Sequence, residues 1–224
     1  MFKFKRWWLI GIWLSGVSAP ARADIVYSQD PNLLSVLFVS DSTSVLGLQQ
    51  ADNFTLGSAA SIQAVTFYGK WTSVAQPPES FTVRFFEDMG GTPNVNPTFE
   101  FTSLAPDSRD SVEFLPPLLS VFHYGINLPA PVNLNAGTTY YFSVVNTATN
   151  AFGDWGWLGT DLLGSTRFQR NDDGVLFTSI PDADLTFALM TNAMLEPSPV
   201  LLGGTAMLAS GAWRLARARL TILQ

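Results

Sequence analysis

Phe81-Thr82-Val83-Arg84-Phe85 decides the fold class. Apolar side chains alternate with polar ones, the period of a strand that buries one face and wets the other. The same period of two continues outward in both directions. Val65, Phe67, Gly69 and Trp71 share a face upstream. Tyr140, Phe142 and Val144 share one downstream, after the turn Asn135-Ala136-Gly137, and Leu185, Phe187 and Leu189 form a last strand. Turn signals punctuate these runs at Asp52-Asn53, Gly90-Gly91, Asn96-Pro97, Pro116-Pro117, Pro129-Ala130-Pro131 and Asp173-Gly174. Between Asp24 and Leu195 no stretch sustains a capped apolar pattern of 3.6-residue period. The expectation is an all-β body, an antiparallel β-sandwich of jelly-roll-like form, with an edge strand around Leu33 to Val39.

The two ends of the 224-residue chain read differently. Lys3, Lys5 and Arg6 precede an apolar stretch from Trp7 to Val17, and Ala21-Arg22-Ala23 supplies a small-x-small cleavage site before Asp24. That is the layout of a secretory signal peptide over residues 1–23. At the other end, Glu196-Pro197-Ser198-Pro199 leads into an uncharged run from Val200 to Trp213, followed by Arg214, Arg217 and Arg219. As a helix this run spans about 21 Å at 1.5 Å per residue, against a hydrocarbon core of roughly 30 Å, so spanning relies on local thinning or snorkelling arginines. The arginines stay cytoplasmic by the positive-inside rule, which places everything before Glu196 outside. The expected organisation is signal peptide 1–23, β-sandwich 24–195 and anchoring tail 196–224.

The tail resembles the PEP-CTERM sorting signal of exported bacterial proteins, with Leu195-Glu196-Pro197 standing where Pro-Glu-Pro is usual. The resemblance implies that Glu196 and Pro197 form the sorting motif and that Arg214, Arg217 and Arg219 are the membrane stop. It also implies an exosortase-like protease as processing partner, passing through the inner membrane and delivery to the cell surface or an extracellular matrix. A second resemblance, over roughly residues 50 to 190, rests on Asp52-Asn53-Phe54-Thr55-Leu56, Val65 to Trp71, Phe81 to Asp88, Ala136 to Tyr141, Trp155-Gly156-Trp157 and Asp184-Leu185-Thr186-Phe187. This series is similar to the extracellular β-sandwich domain often found upstream of such tails, a family that lends no general catalytic assignment.

Charge and composition exclude several functions. The whole chain carries a formal −6, but only five of the 12 Lys+Arg and 17 of the 18 Asp+Glu fall within 24–195, so the body carries about −12. Nucleic acid is a poor partner for such a surface, because phosphate binding draws on Lys and Arg. With no cysteine, disulfides and thiolate metal sites are excluded. His123 is the only histidine, and its neighbours Phe122 and Tyr124 would face away from it. No nucleophile elbow or phosphate-cradling loop is present.

Two kinds of candidate site remain. Glu87-Asp88, Asp172-Asp173 and Asp182 with Asp184 are carboxylate pairs of the kind glycoside hydrolysis needs, although Asn171-Asp172-Asp173-Gly174 reads best as a hairpin turn. Asp52 and Asn53 opening one strand, and Asp182 and Asp184 opening another, offer the hard oxygen ligands that calcium takes, and calcium is the only cofactor these residues suggest. Trp155 and Trp157, two apart, would project from one face, either as a sugar-stacking platform or into the core. Taken together these readings favour an exported structural or interaction protein rather than an enzyme. A carbohydrate-binding module, with extracellular polysaccharide as partner, is the alternative, and a glycoside-active enzyme a more distant one.

Overall fold

The computed structural model describes residues 24–31, 36–72, 79–113, 120–148, 153–160, 166–181 and 183–192, with backbone alone at Glu113 and Ser120. The expected signal peptide, the tail with Glu196, Pro197, Arg214, Arg217 and Arg219, and Asp182 lie outside them. Among the described residues there is no helix, and the strands form two antiparallel sheets.

The first sheet is built on the long β4 (Ala60–Trp71), bordered on one edge by β8 (Ser120–Leu134), which carries β7 (Ser108–Glu113) beyond it. The other edge of β4 is shared. Ala64 to Phe67 pair with β14 (Phe187–Met190), which in turn pairs with β1 (Ile25–Gln29). Gly69 to Trp71 pair with β10 (Trp155–Thr160), which holds β2 (Val36–Val39) and the short β13 (Asp184–Leu185). The second sheet runs β12 (Thr178–Ile180), β11 (Arg167–Asn171), β3 (Leu48–Thr55), β9 (Thr139–Asn146), β5 (Phe81–Glu87) and β6 (Phe99–Leu104).

Apolar residues of the period-two pattern close the sandwich. Val65, Phe67, Phe81, Val83, Phe85, Phe142, Val144, Leu185, Phe187 and Leu189 belong to one buried cluster drawn from both sheets. Aromatic rings bridge the layers: Phe142 meets Phe187 at 4.8 Å and Trp157 at 5.7 Å, and Phe67 meets Phe81 at 5.2 Å. Ring pairs at these separations add to the area term, which is itself about 1.5–3 kcal/mol for each large apolar side chain fully buried.

Two expected turns are strand interior instead. Asp52 and Asn53 lie inside β3 rather than opening it. Pro129-Ala130-Pro131 lies inside β8, where the register jumps: Ile62 faces Val132, yet Ala64 faces Asn127. Of the surplus residues of β8, Leu128 stays in the core, while the prolines, which have no N–H to give the ladder, sit exposed in the bulge with Ala130. The other turns within the described residues stand as expected. Gly90, Gly91, Gly137 and Gly174 take positive φ, and Asp172 (φ 65°) joins Gly174 in the β11–β12 connection.

Candidate functional site

Trp155 and Trp157 share a face, but that face is the core, and both are fully buried. Their exposure as a sugar platform is therefore corrected. The physical reason lies in the glycines around them. Gly69 on β4 leaves the space that the Trp155 indole fills, and Gly159 on β10 leaves the space for the Phe38 ring. These glycines make a regular, close-packed strand rather than an irregular segment. The Trp157 indole N–H donates to the Thr186 carbonyl at 2.9 Å, in the break between β13 and β14.

The carboxylates follow the same trend. Asp173 accepts from both Arg84 (3.0 Å) and Arg170 (2.7 Å), while Gln49 bridges the two guanidiniums at 2.9 Å each. Arg84 also pairs with Glu100 at 2.6 Å. This network lashes the β11–β12 turn to the outer face of the second sheet. Burial lowers the Arg170 pKa, Asp173 opposes that shift and neighbouring Arg84 adds to it. Asp88 accepts from the Tyr141 hydroxyl at 2.8 Å and from the Gly91 N–H at 2.9 Å. His123 stacks on Tyr68 at 4.4 Å on the outer face of the first sheet, half-buried, its pKa lowered by burial against the opposing pull of Asp110. These residues hold the fold together.

Asp52 and Asp184 do come together, at the flank of the sandwich. The first pair between β11 and β3 is Arg167 with Asp52, so among the described residues Asn53 to Thr55 are bordered by β9 on one edge only. Asp52 fills the gap from inside. Its carboxylate accepts the N–H of Asn53 at 2.8 Å and that of Leu185 on the opposite sheet. The Gln29 amide, oriented by its hydrogen-bonding network, turns its nitrogen to Leu185 O (2.6 Å) and Asp52 Oδ2 (3.0 Å) and accepts the Tyr27 hydroxyl at 3.0 Å. Burial holds the Asp52 carboxyl well above the usual carboxylate range; the Leu185 N–H opposes this, and the charge of Asp184 reinforces it. Burial, then Asp52 and Asp184, push the Tyr27 hydroxyl up to about 12.

Beside this cluster opens a groove of about 770 Å³. Tyr27 and Gln29 come from β1, Asn53 and Thr55 from β3, Tyr141 from β9, Phe168 from β11, Ser179 from β12 and Asp184 from β13, with Thr166 just before β11. Of the residues the sequence singled out, Asn53 and Asp184 line this groove, and Asp52 stands behind it, fully buried. As a calcium cage the set is incomplete, since among the described residues no three His, Asp or Glu side chains gather to hold an ion. Sequence reasoning missed Tyr27, Gln29 and Ser179. The alternation of β9 gives the outward side of Tyr141, but the groove needs six strands from two sheets, and no local pattern encodes that meeting.

No family model matches this chain, and neither a curated protein nor a solved structure matches it.

Proposed function

We propose that this chain is an exported envelope- or matrix-associated interaction protein, a jelly-roll domain displayed on a processed C-terminal tail. The observation that carries the reading is the placement of the two ends of the body. Ile25 of β1 stands opposite Met190 of β14, and the Thr191 N–H donates to the Asp24 carbonyl at 3.1 Å. The body therefore begins and closes at one point, beside the residue that follows the proposed signal cleavage and before Glu196 is reached. A domain held this way is complete before its tail is cut, so an exosortase-like protease acting near Glu196-Pro197 would release it folded. Arg214, Arg217 and Arg219 act as the membrane stop, and the body faces outward.

The strand order supports the jelly-roll subtype. Counting β1, β3, β4, β5, β6, β8, β9 and β14 as strands one to eight, one sheet reads 1-8-3-6 and the other 2-7-4-5. That interlocked pair of Greek keys is the jelly-roll arrangement, an architecture used by lectin domains among others. An interaction role fits better than a glycoside-active enzyme. Two-carboxylate hydrolysis requires both groups to reach the substrate, and Asp52 has no exposed surface beside Asp184. The test is an intact mass of the mature protein with its cell fraction recorded. The expected species starts at Asp24, ends close to Glu196-Pro197 and lies at the surface or in the matrix; a mature surface form retaining Gln224 would overturn the processing claim.

A further inference from the structure

We propose that the groove beside β3 binds a neutral oligosaccharide, gripped by Asn53, Thr55, Ser179 and Asp184 against the half-buried ring of Tyr27. The inference deepens the reading above and rests on it, since it names what the displayed domain would hold. Three observations lead to this chemistry.

The first is size. A groove of about 770 Å³ falls within the roughly 300–1,000 Å³ typical of sites for small ligands. The second is the lining. Side-chain amides and hydroxyls both donate and accept, as sugar hydroxyls do, and the half-buried Tyr27 ring lies among them as an apolar surface for the C–H face of a sugar, while the buried Phe168 forms the floor. Asn53, Thr55 and Ser179 are exposed and able to meet a ligand.

The third observation is charge, and it chooses between neutral and acidic glycans. Asp184 lines the groove and Asp52 lies behind it. Of the five cations of the body, Lys70 lies on β4 outside the groove lining, and the four arginines are committed elsewhere. Arg84 and Arg170 are tied to Asp173, and Arg109 pairs with Glu79 at 3.1 Å. Arg167 donates to the Gln50 side chain at 2.8 Å, and its guanidinium lies 4.0 Å over the Phe38 ring. In a body of about −12 these commitments leave an acidic polymer nothing to pair with at this site. A chain of uncharged sugars meets no such barrier.

The experiment uses the full chain purified in detergent and titrated with hexasaccharides. The probes are neutral oligomers of glucose, mannose, galactose and N-acetylglucosamine, with oligogalacturonate and oligoalginate as acidic counterparts. Saturable binding of at least one neutral hexamer, and none of the acidic ones, is expected. Asn53→Ala and Asp184→Asn should each weaken binding by about tenfold, in line with losing one or two hydrogen bonds to the ligand. Ser179→Trp, which fills the groove from an exposed edge strand, should abolish binding while leaving the melting temperature within a few degrees. Binding to acidic hexamers as tight as to neutral ones, no binding to any neutral hexamer, or full binding by Ser179→Trp would each overturn the proposal. Cell fractionation of the same strains separates the two readings. Correct surface sorting without glycan binding rejects the groove alone, whereas glycan binding by a chain that is never exported rejects display alone.

Discussion

Tyr27 shows how a single side chain couples the groove to the core. Its ring packs on Phe187 at 5.4 Å and Phe54 at 5.5 Å, and its hydroxyl reaches Gln29, which in turn holds Asp52. Partial burial first, and then the two nearby carboxylates, favour the neutral phenol and push its pKa from 10 up to about 12. The consequence for stability has a definite sign. Between those two values the folded chain keeps a proton that the unfolded chain releases, so stability is full below pH 10 and falls as pH rises toward 12. Tyr124 and Tyr141 are raised as well, by burial first and then by hydrogen bonds to Glu79 and Asp88, and they contribute to the same decline. Tyr27→Phe should therefore lose less melting temperature between pH 10 and pH 12 than the parent does. Thermal melts at half-unit intervals would show it, and parallel curves for the two proteins would refute the role given to Tyr27. The sequence marks Asp52 as polar and near a turn, but its actual work is holding Asn53 and Leu185, and Leu185 lies on the other sheet. A contact across that separation leaves no trace in local spacing.

Among the elements, β4 and β10 were legible to different degrees. The face of β4 carrying Val65, Phe67, Gly69 and Trp71 is set by period-two alternation, and all four are buried. β10 is written Trp155-Gly156-Trp157-Leu158-Gly159-Thr160, where glycines stand in for the apolar or polar residues that would reveal a face. What those glycines do depends on rings from neighbouring strands, and so appears only once the sheet is assembled. A Cβ on Gly69 would run into the Trp155 indole and come 2.7 Å from the Gly156 carbonyl oxygen, part of the backbone of β10. Neither neighbour can yield without opening the β4–β10 pairing. Gly69→Ala should cost about 2–3 kcal/mol by overpacking, roughly 5–10 °C in melting temperature for a domain of this size. Gly57 is the internal control, because nothing lies within 4 Å of a Cβ placed there. Gly57→Ala should stay within about 0.5 kcal/mol of the parent. Equal melting of the two variants would mean that the indole does not fill the space over Gly69.

For the molecule as a whole, the body and the tail are separate problems with separate physics. The body is sealed at its own ends: β14 finishes at Met190, and the bond from Thr191 to Asp24 closes the sheet before the prolines of Glu196-Pro197-Ser198-Pro199 begin. Prolines disfavour helix at the residues before them, which suits the proposed cleavage near Glu196-Pro197. Changes in the tail should therefore alter where the protein goes without altering how its sandwich melts. On the proposed reading the run from Val200 to Trp213, short for the bilayer if helical, has only the arginines behind it to resist translocation. Replacing Arg214, Arg217 and Arg219 together with Ala removes that resistance. The variant should slip from the inner membrane and appear as a soluble exported species, uncut at Glu196-Pro197 because it no longer dwells beside the membrane protease. Removing residues 196–224 outright should give the same fraction with a melting curve unchanged from that of the processed parent. Membrane fractionation with mass spectrometry reads both outcomes. A triple variant that stays in the inner membrane at the parental level, and is still trimmed near Pro197, would show that the apolar run holds the chain by itself and that the arginines are not its stop.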